Sequence, residues 1–306
     1  RSSWRDFVPH RSGHYIVGFA AYANHLVRAE RVDALDRLVV MARQGGEHVV
    51  DFDEEAYALN LEGGFEYETP VMRFVYQSPT TPRQWFDYDM TERTRTLRKT
   101  QEVPSGHDAS RYVARRLYAK ASDGAEVPIT LLMLKDTPQD GSAPVLLYGY
   151  GSYGHAMEPS FSIRNLSLVD RGWIWATAHI RGGSDKGWGW FLDGRKEKKP
   201  NTFTDFIACA EHLVAERYTS SERLIAAASS ASRLPAAATT TTPIVATSAI
   251  TSRSSAEGLG VPRLRLITSA PFRAAKRMAL AVLKLLPRPS EFSTRTGISS
   301  DSGAIK

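Results

Sequence analysis

Short apolar runs separated by turn residues fill the first hundred positions of the chain. Met72, Phe74 and Tyr76 share one face of a run that alternates in character, which is the period of a β-strand. Further runs of this kind occupy 14–19, 25–30, 36–41, 84–89 and 94–99. The strands fall into two groups, and such groups are typical of β-propeller blades, which repeat every ~40–50 residues. Two groups are too few for a closed propeller, so the pattern predicts either a small sheet or the last blades of a larger one.

A polar break at 105–108 (SGHD) marks a predicted domain boundary. The segments 112–121 and 127–134 beyond it are apolar enough to form strands. Asp123 and Gly124 lie between them, and this pair is typical of a tight hairpin turn. The second part of the chain is therefore predicted to begin with a β-hairpin.

Two apolar runs, 145–148 and 173–178, end in glycine-rich segments and predict strands that are buried on both faces. A helix is predicted over 201–217, where Thr202 can cap the first turn with Asp205 as its capping-box partner. Its apolar positions recur at helical spacing: Phe203, Phe206, Ile207, Ala210, Leu213 and Val214. Strand, loop, strand, loop and helix in this order predict a parallel α/β core, where enzymes place their chemistry at the strand ends.

The composition is that of a soluble globular protein with more than one domain. The chain has 306 residues, of which 42% are hydrophobic and 24% are charged. The net charge of +6 predicts a mildly basic surface, because no Lys/Arg block with interleaved aromatic residues precedes the C-terminal third. No nucleic-acid partner and no membrane partner are expected, since no apolar run could span a bilayer and no signal-peptide pattern is visible. The single cysteine, Cys209, favours a reducing compartment.

Several long motifs of the chain resemble oligopeptidase B, a cytosolic serine peptidase of the prolyl oligopeptidase family. The similar segments are YGYGSYG at 148–154, LSLVDRG at 166–172, AHIRGG at 178–183 and the stretch 198–224. The upstream segment 51–90 resembles the last blades of that family's propeller. The resemblance implies a propeller that caps an α/β-hydrolase domain, and cleavage of short peptides after Lys or Arg. It implies a cytoplasmic protein with no metal ion and no organic cofactor; the oligomeric state is left open.

The resemblance and the composition together predict a mixed fold in three parts. Residues 1–105 would be the C-terminal part of a β-propeller. Residues 106–225 would be the N-terminal half of an α/β-hydrolase domain, which is thus incomplete. Residues 226–306 would be a low-complexity basic tail without fixed structure, because Ala, Ser, Thr and Arg dominate it.

The resemblance also assigns roles to individual residues. Tyr150 matches the tyrosine whose hydroxyl helps to form the oxyanion hole, and Ser230 holds the register of the nucleophile. The backbone N–H of Ala231 would be the second oxyanion donor. Glu158 stands where the family has one of two acids near the substrate path, and Ser160 replaces the other; a solvated loop carboxylate is the alternative for Glu158.

Three further positions near the expected site are interpreted mainly as structural. The segment 181–183 (RGG) would shape a loop near the site, or would be a plain glycine turn. His179 follows a predicted strand, but the resemblance gives this position no catalytic part, so a structural histidine is expected. Asp205 is expected to cap the helix rather than to act as a catalytic acid.

The chain departs from the family where the nucleophile should lie. A G-x-S-x-G elbow needs glycine on both sides of the serine, but Ala228 and Ser232 fill these positions. No histidine follows His212, and Asp301 is the only aspartate after Ser230. A serine hydroxyl needs an adjacent base to become a useful nucleophile. We therefore expect the chain as given to be inactive.

The composition changes abruptly near Ile225, and two explanations stay open. One is a reading-frame shift near codon 226, and the other is a natural divergent tail. A non-catalytic pseudopeptidase or a peptide-binding fragment is the alternative function. Binding of an acidic membrane or a nucleic acid through the basic tail is a further, less favoured alternative.

Overall fold

The computed structural model of the chain describes residues 5–64 and 66–228. Its first part consists of two four-stranded antiparallel sheets, each with its strands in chain order. The first sheet contains β1 (His14–Ala21), β2 (His25–Val32), β3 (Leu35–Ala42) and β4 (Glu47–Val49). The second contains β5 (Ala58–Glu62), β6 (Val71–Gln77), β7 (Gln84–Asp89) and β8 (Thr94–Thr100).

The two sheets share one apolar core. It forms because apolar side chains alternate along the strands and so lie on one face of each sheet. Met72 and Phe74 on β6 are fully buried, and so are Val27 and Leu38 from the first sheet. Tyr76, which shares the face of Met72 and Phe74, belongs to the same cluster. The six strands predicted from the sequence are confirmed, and β4 and β5 were missed.

The second part is a five-stranded mixed sheet in the order β13-β11-β12-β10-β9. These strands are β9 (Tyr112–Lys120), β10 (Glu126–Leu134), β11 (Val145–Gly149), β12 (Ile174–Ala178) and β13 (Leu224–Ala228). The helices are α1 (Ile163–Val169), α2 (Trp188–Leu192) and α3 (Pro200–Ala215). Within the described ranges, no helix is long and apolar enough to cross a lipid bilayer.

Helices cover both faces of the mixed sheet. Cys209 and Leu213 of α3 are buried on one face, in the larger core with Leu131 and Leu147. On the other face, Leu166 and Val169 of α1 pack with Leu132 of β10 and Trp175 of β12 in a smaller cluster. The strand residues of this cluster alternate along the chain with those of the larger core.

Because β11, β12 and β13 run parallel, the predicted parallel α/β core is confirmed, and so is the hairpin of β9 and β10. Strand β13 continues three residues past the predicted boundary at 225.

The start of α3 differs from the sequence prediction. The helix begins at Pro200 with Lys199 as its N-cap residue, so Thr202 and Asp205 lie inside the helix and do not cap it. Proline suits the first helical position, because its fixed φ is helical and no N–H is left to satisfy there. The Thr202 hydroxyl instead donates to the backbone oxygen of Arg181 at 2.7 Å. The predicted capping box is therefore wrong.

We expect the Cys209 thiol to react very slowly while the chain is folded. The residue is fully buried, and burial together with nearby Asp205 raises its pKa well above the ordinary value. Since the thiolate is the reactive form, a thiol reagent should label the folded chain at least about 100-fold more slowly than the urea-unfolded chain. The unfolded chain is the control for intrinsic reactivity, and equal rates in the two states would contradict burial of α3.

Candidate active site

Three adjacent parallel strands end at the same edge of the mixed sheet. Gly149 of β11 is in register with Ala178 of β12 on one side and with Ala228 of β13 on the other. The residues after these strands therefore emerge side by side, as at the active edges of α/β enzymes. Tyr150 and His179 are the first residues beyond β11 and β12.

Tyr150 lies at this edge and is partly buried. Its ring stands perpendicular to the ring of His155, with 5.6 Å between the centroids. Gly149, just before it, packs against Phe206 of α3, where an added Cβ would lie 2.9 Å from the ring. This close contact with α3 fixes the backbone where the chain leaves β11, and therefore the backbone position of Tyr150.

The loop between β11 and α1, residues 150–162, is called the Tyr150 loop. It rests on the glycine-rich loop after β12. Gly151 (φ +60°) and Gly182 (φ +98°) both have backbone conformations that favour glycine. A Cβ on Gly182 would lie 2.1 Å from the backbone oxygen of Gly151, so the two backbones touch. The N–H of Gly154 also donates to the oxygen of Gly182 at 3.0 Å. The segment 181–183 thus supports the Tyr150 loop directly.

Lys199 holds the same loop from the side of α3. Its ammonium donates to the backbone oxygen of Gly151 at 2.5 Å and to the hydroxyl of Ser152 at 2.9 Å. Burial lowers the pKa of this lysine. The sequence analysis missed Lys199, and no local signal could have identified it, because its partners lie almost 50 residues earlier in the chain.

Arg181 ties the glycine-rich loop to the rest of the domain. Its guanidinium binds the carboxylate of Asp205 on α3, and its backbone N–H donates to the same carboxylate at 2.9 Å. It also binds Asp123 in the β9–β10 turn at 2.5 Å. Burial alone would lower the pKa of Arg181, but the bonds to Asp205 and Asp123 outweigh burial and raise it. The arginine therefore stays charged, although it is only 5% exposed.

His179 is structural, as the sequence analysis expected. It is fully buried, and its Nε2 lies 2.8 Å from the hydroxyl of Thr130. Its Nδ1 lies 2.9 Å from Asp185, whose carboxylate also accepts the N–H of Met157. With both ring nitrogens engaged inside the domain, His179 is not free to act as a base at the sheet edge.

Glu158 lies at the junction between the two antiparallel sheets and the mixed sheet. Its side chain is 51% exposed, and its carboxylate accepts a hydrogen bond of 3.3 Å from Arg31 of β2. Although half of the side chain is exposed, partial desolvation at the domain junction is the main cause that raises the pKa of Glu158; Asp36 raises it further and Arg31 opposes the rise. Ser160 follows in the same loop, where its N–H donates to the backbone oxygen of Glu158 at 2.8 Å.

Two of the residues assigned to catalysis by the sequence resemblance, Ser230 and Ala231, lie outside the described residues. The same holds for all of the predicted tail beyond Ala228. The structure therefore bears on Tyr150 and on the loops around it, together with the strand that precedes the predicted nucleophile.

Comparison with known protein families identifies the family to which this chain belongs. The N-terminal β-propeller domain of prolyl oligopeptidase matches residues 1–101, and the prolyl oligopeptidase family matches residues 159–233. The chain belongs to the prolyl oligopeptidase family. Members of this family are serine peptidases, which are hydrolases. The two antiparallel sheets are accordingly propeller blades, and the mixed sheet belongs to the peptidase domain.

Individual members of the family agree with this assignment. The chain is 44% identical over 227 residues to dipeptidyl aminopeptidase BI of Pseudoxanthomonas mexicana, which covers 74% of this chain and 31% of that protein. It is 32% identical over 225 residues to protease 2 of Moraxella lacunata, with 74% and 32% covered. The chain thus spans about a third of the length of these relatives.

Solved structures of the family show the same arrangement. Oligopeptidase B from Leishmania major superposes with a TM-score of 0.66 at 38% identity, over 72% of this chain and 32% of that one. Oligopeptidase B from Trypanosoma brucei, solved with covalently bound antipain, gives a TM-score of 0.66 at 36% identity, with the same shares covered. The resemblance to oligopeptidase B is confirmed. The completeness of the peptidase domain stays a prediction.

Proposed function

We propose that this chain represents part of a serine peptidase that cleaves short peptides after Lys or Arg through an acyl-enzyme. Ser230 would attack the scissile carbonyl. The hydroxyl of Tyr150 and the backbone N–H of Ala231 would hold the oxyanion. Donors aimed at the developing negative charge are among the largest contributions to acyl transfer.

One observation carries this proposal: the register of β13 on β11. Ala228 is paired with Gly149, so the chain leaves β13 beside the point where it enters Tyr150. In α/β-hydrolases the nucleophile follows a strand in a sharp turn, next to the oxyanion donors. The family match that extends to residue 233 supports the same register for Ser230.

We further propose that the chain as given does not turn over substrate. The family's chain order is Ser, then Asp, then His, and no histidine follows His212 in this sequence. His179 cannot substitute, because both of its ring nitrogens are engaged with Thr130 and Asp185. Without a base, a serine hydroxyl at the Ser230 position stays protonated and weakly nucleophilic.

Sequencing the gene through codons 215–240 and beyond tests this proposal. If another frame encodes G-x-S-x-G followed by Asp and His, its product should cleave arginyl peptides. In that product, Tyr150→Phe should lower kcat/KM about 100-fold, as loss of one oxyanion donor does. Tyr153→Phe, an exposed tyrosine three residues on, is the matched control. An intact frame would favour the alternative function, a pseudopeptidase or peptide-binding fragment.

A second specificity is favoured by one observation, the 44% identity to a dipeptidyl aminopeptidase. An enzyme of that kind would release dipeptides from a free N-terminus. Two peptides of one sequence, one with a free and one with an acetylated N-terminus, separate the possibilities. Cleavage of both after arginine supports the endopeptidase, whereas cleavage of the free peptide alone supports the aminopeptidase.

A further inference from the structure

The tip of the β2–β3 hairpin reaches from the propeller to the peptidase domain. Its two turn residues, Asp33 and Ala34, have positive φ values of 51° and 60°. Ala34 donates its N–H to the backbone oxygen of Asp185 at 2.8 Å. The Asp33 carboxylate accepts from the Tyr118 hydroxyl at 2.7 Å and lies 3.3 Å from the ammonium of Lys186. The hairpin tip is therefore anchored on the peptidase domain at several points.

Arg31 lies just behind this tip, opposite Asp36 in the register of β2 and β3. Its Nε donates to Asp36 at 2.9 Å, and the other oxygen of Asp36 accepts the N–H of Leu59 at 3.2 Å. The Arg31 side chain is only 11% exposed. Asp36 holds the Arg31 guanidinium from the propeller side. The Nη2 of Arg31 therefore points to the peptidase domain, where it lies 3.3 Å from the Glu158 carboxylate.

Glu158 is the acid of the Tyr150 loop that stands open to solvent at this junction. The loop leaves the sheet at Tyr150 and is held by Asp185 at Met157, so the position of Glu158 is constrained. Half of its side chain remains exposed, and a ligand could therefore reach the carboxylate. One side of that carboxylate is already occupied by Arg31.

We infer that Arg31 is a specificity-determining residue of this peptidase, because it acts as an internal cation on Glu158 and disfavours substrates that bring a positive charge there. The inference rests on the proposed function. With Arg31 present, the group of Arg31, Asp36 and Glu158 has one net negative charge. Without it, the same group would have two, and a cationic substrate side chain would be attracted more strongly.

Arg31→Gln in the full chain tests this inference, since glutamine removes the charge but keeps a donor for Asp36. The probes are two dipeptide amides of one sequence, one with arginine and one with the neutral isostere citrulline. Isothermal titration at low salt should show the arginine peptide binding about 3- to 5-fold more tightly to Arg31→Gln than to the unchanged chain. The citrulline peptide should bind both chains equally.

Three matched variants make the result specific. Arg37→Gln removes an exposed charge from β3 of the same sheet and should change neither affinity. Arg31→Lys keeps the charge and should leave the arginine peptide at the affinity of the unchanged chain. In a Glu158→Gln background, Arg31→Gln should give no gain.

Several results would overturn the inference: equal affinities in the unchanged chain and Arg31→Gln, a gain that persists with Glu158→Gln, or no binding by either peptide. The titration measures equilibrium binding and needs no turnover. Its failure is thus distinguishable from failure of the proposed peptidase activity, which depends on the reading frame around codon 226.

Discussion

Asp205→Ala is expected to lower the free energy of unfolding by about 3–5 kcal/mol, the usual effect of leaving a buried charge without its partner. Asp205 is fully buried, and its carboxylate accepts hydrogen bonds from both the guanidinium and the backbone N–H of Arg181. Removing it leaves an arginine that is 5% exposed with only Asp123 beside it. Urea unfolding followed by tryptophan fluorescence measures the loss.

The matched control for this prediction is Asp193→Ala. Asp193 also pairs with a basic residue, Lys198, at 2.7 Å, but the two side chains are 48% and 62% exposed. Exposed pairs of this kind contribute at most about 1 kcal/mol. If Asp205→Ala cost no more than Asp193→Ala, the buried cluster around Arg181 would not stabilise the domain.

Gly182→Ala is expected to cost about 3 kcal/mol, from left-handed backbone strain together with overpacking. Gly182 has a φ of +98°, and its added Cβ would lie 2.1 Å from the backbone oxygen of Gly151. Backbone atoms cannot rotate away as a flexible side chain can, so the loop that carries Tyr150 must shift. The change should appear as lower stability in urea and, in an active product of the gene, as a lower kcat.

Gly189→Ala is the control for the glycine substitution. Gly189 lies on α2, seven positions farther along the chain, and an added Cβ there has no neighbour within 4 Å. Alanine in a helix is no worse than glycine, so this variant should be as stable as the unchanged chain or up to about 1 kcal/mol more stable. Equal stability of both glycine variants would show that the Gly151–Gly182 contact is not tight.

Both predictions concern the same support of Tyr150. Asp205 holds Arg181, and Arg181 begins the loop whose Gly182 lies against Gly151. The position of Tyr150 thus depends on contacts between the loop after β12, the loop after β11 and α3. In the role proposed for Tyr150 this support matters, because an oxyanion donor must be held in place before the charge develops.

The sequence pattern predicted most elements of the fold because they depend on local periods. The alternation in β6 and the helical spacing in α3 are visible in windows of a few residues. Strand β4 was missed because its three residues, EHV, are too few to show a period. The start of α3 was mistaken because Thr202 and Asp205 fit a capping box, while Pro200 had already begun the helix.

By itself, the sequence determined the family, the order of most strands with the helix α3, and the position of Tyr150 at the end of a strand. These features depend on motifs and periods that are continuous along the chain. Only the tertiary structure decided that Asp205 binds Arg181, that Lys199 holds the Tyr150 loop, and that Arg31 reaches Glu158. Arg31 and Glu158 are 127 residues apart, and no local pattern records a contact between side chains that meet only when two domains pack together.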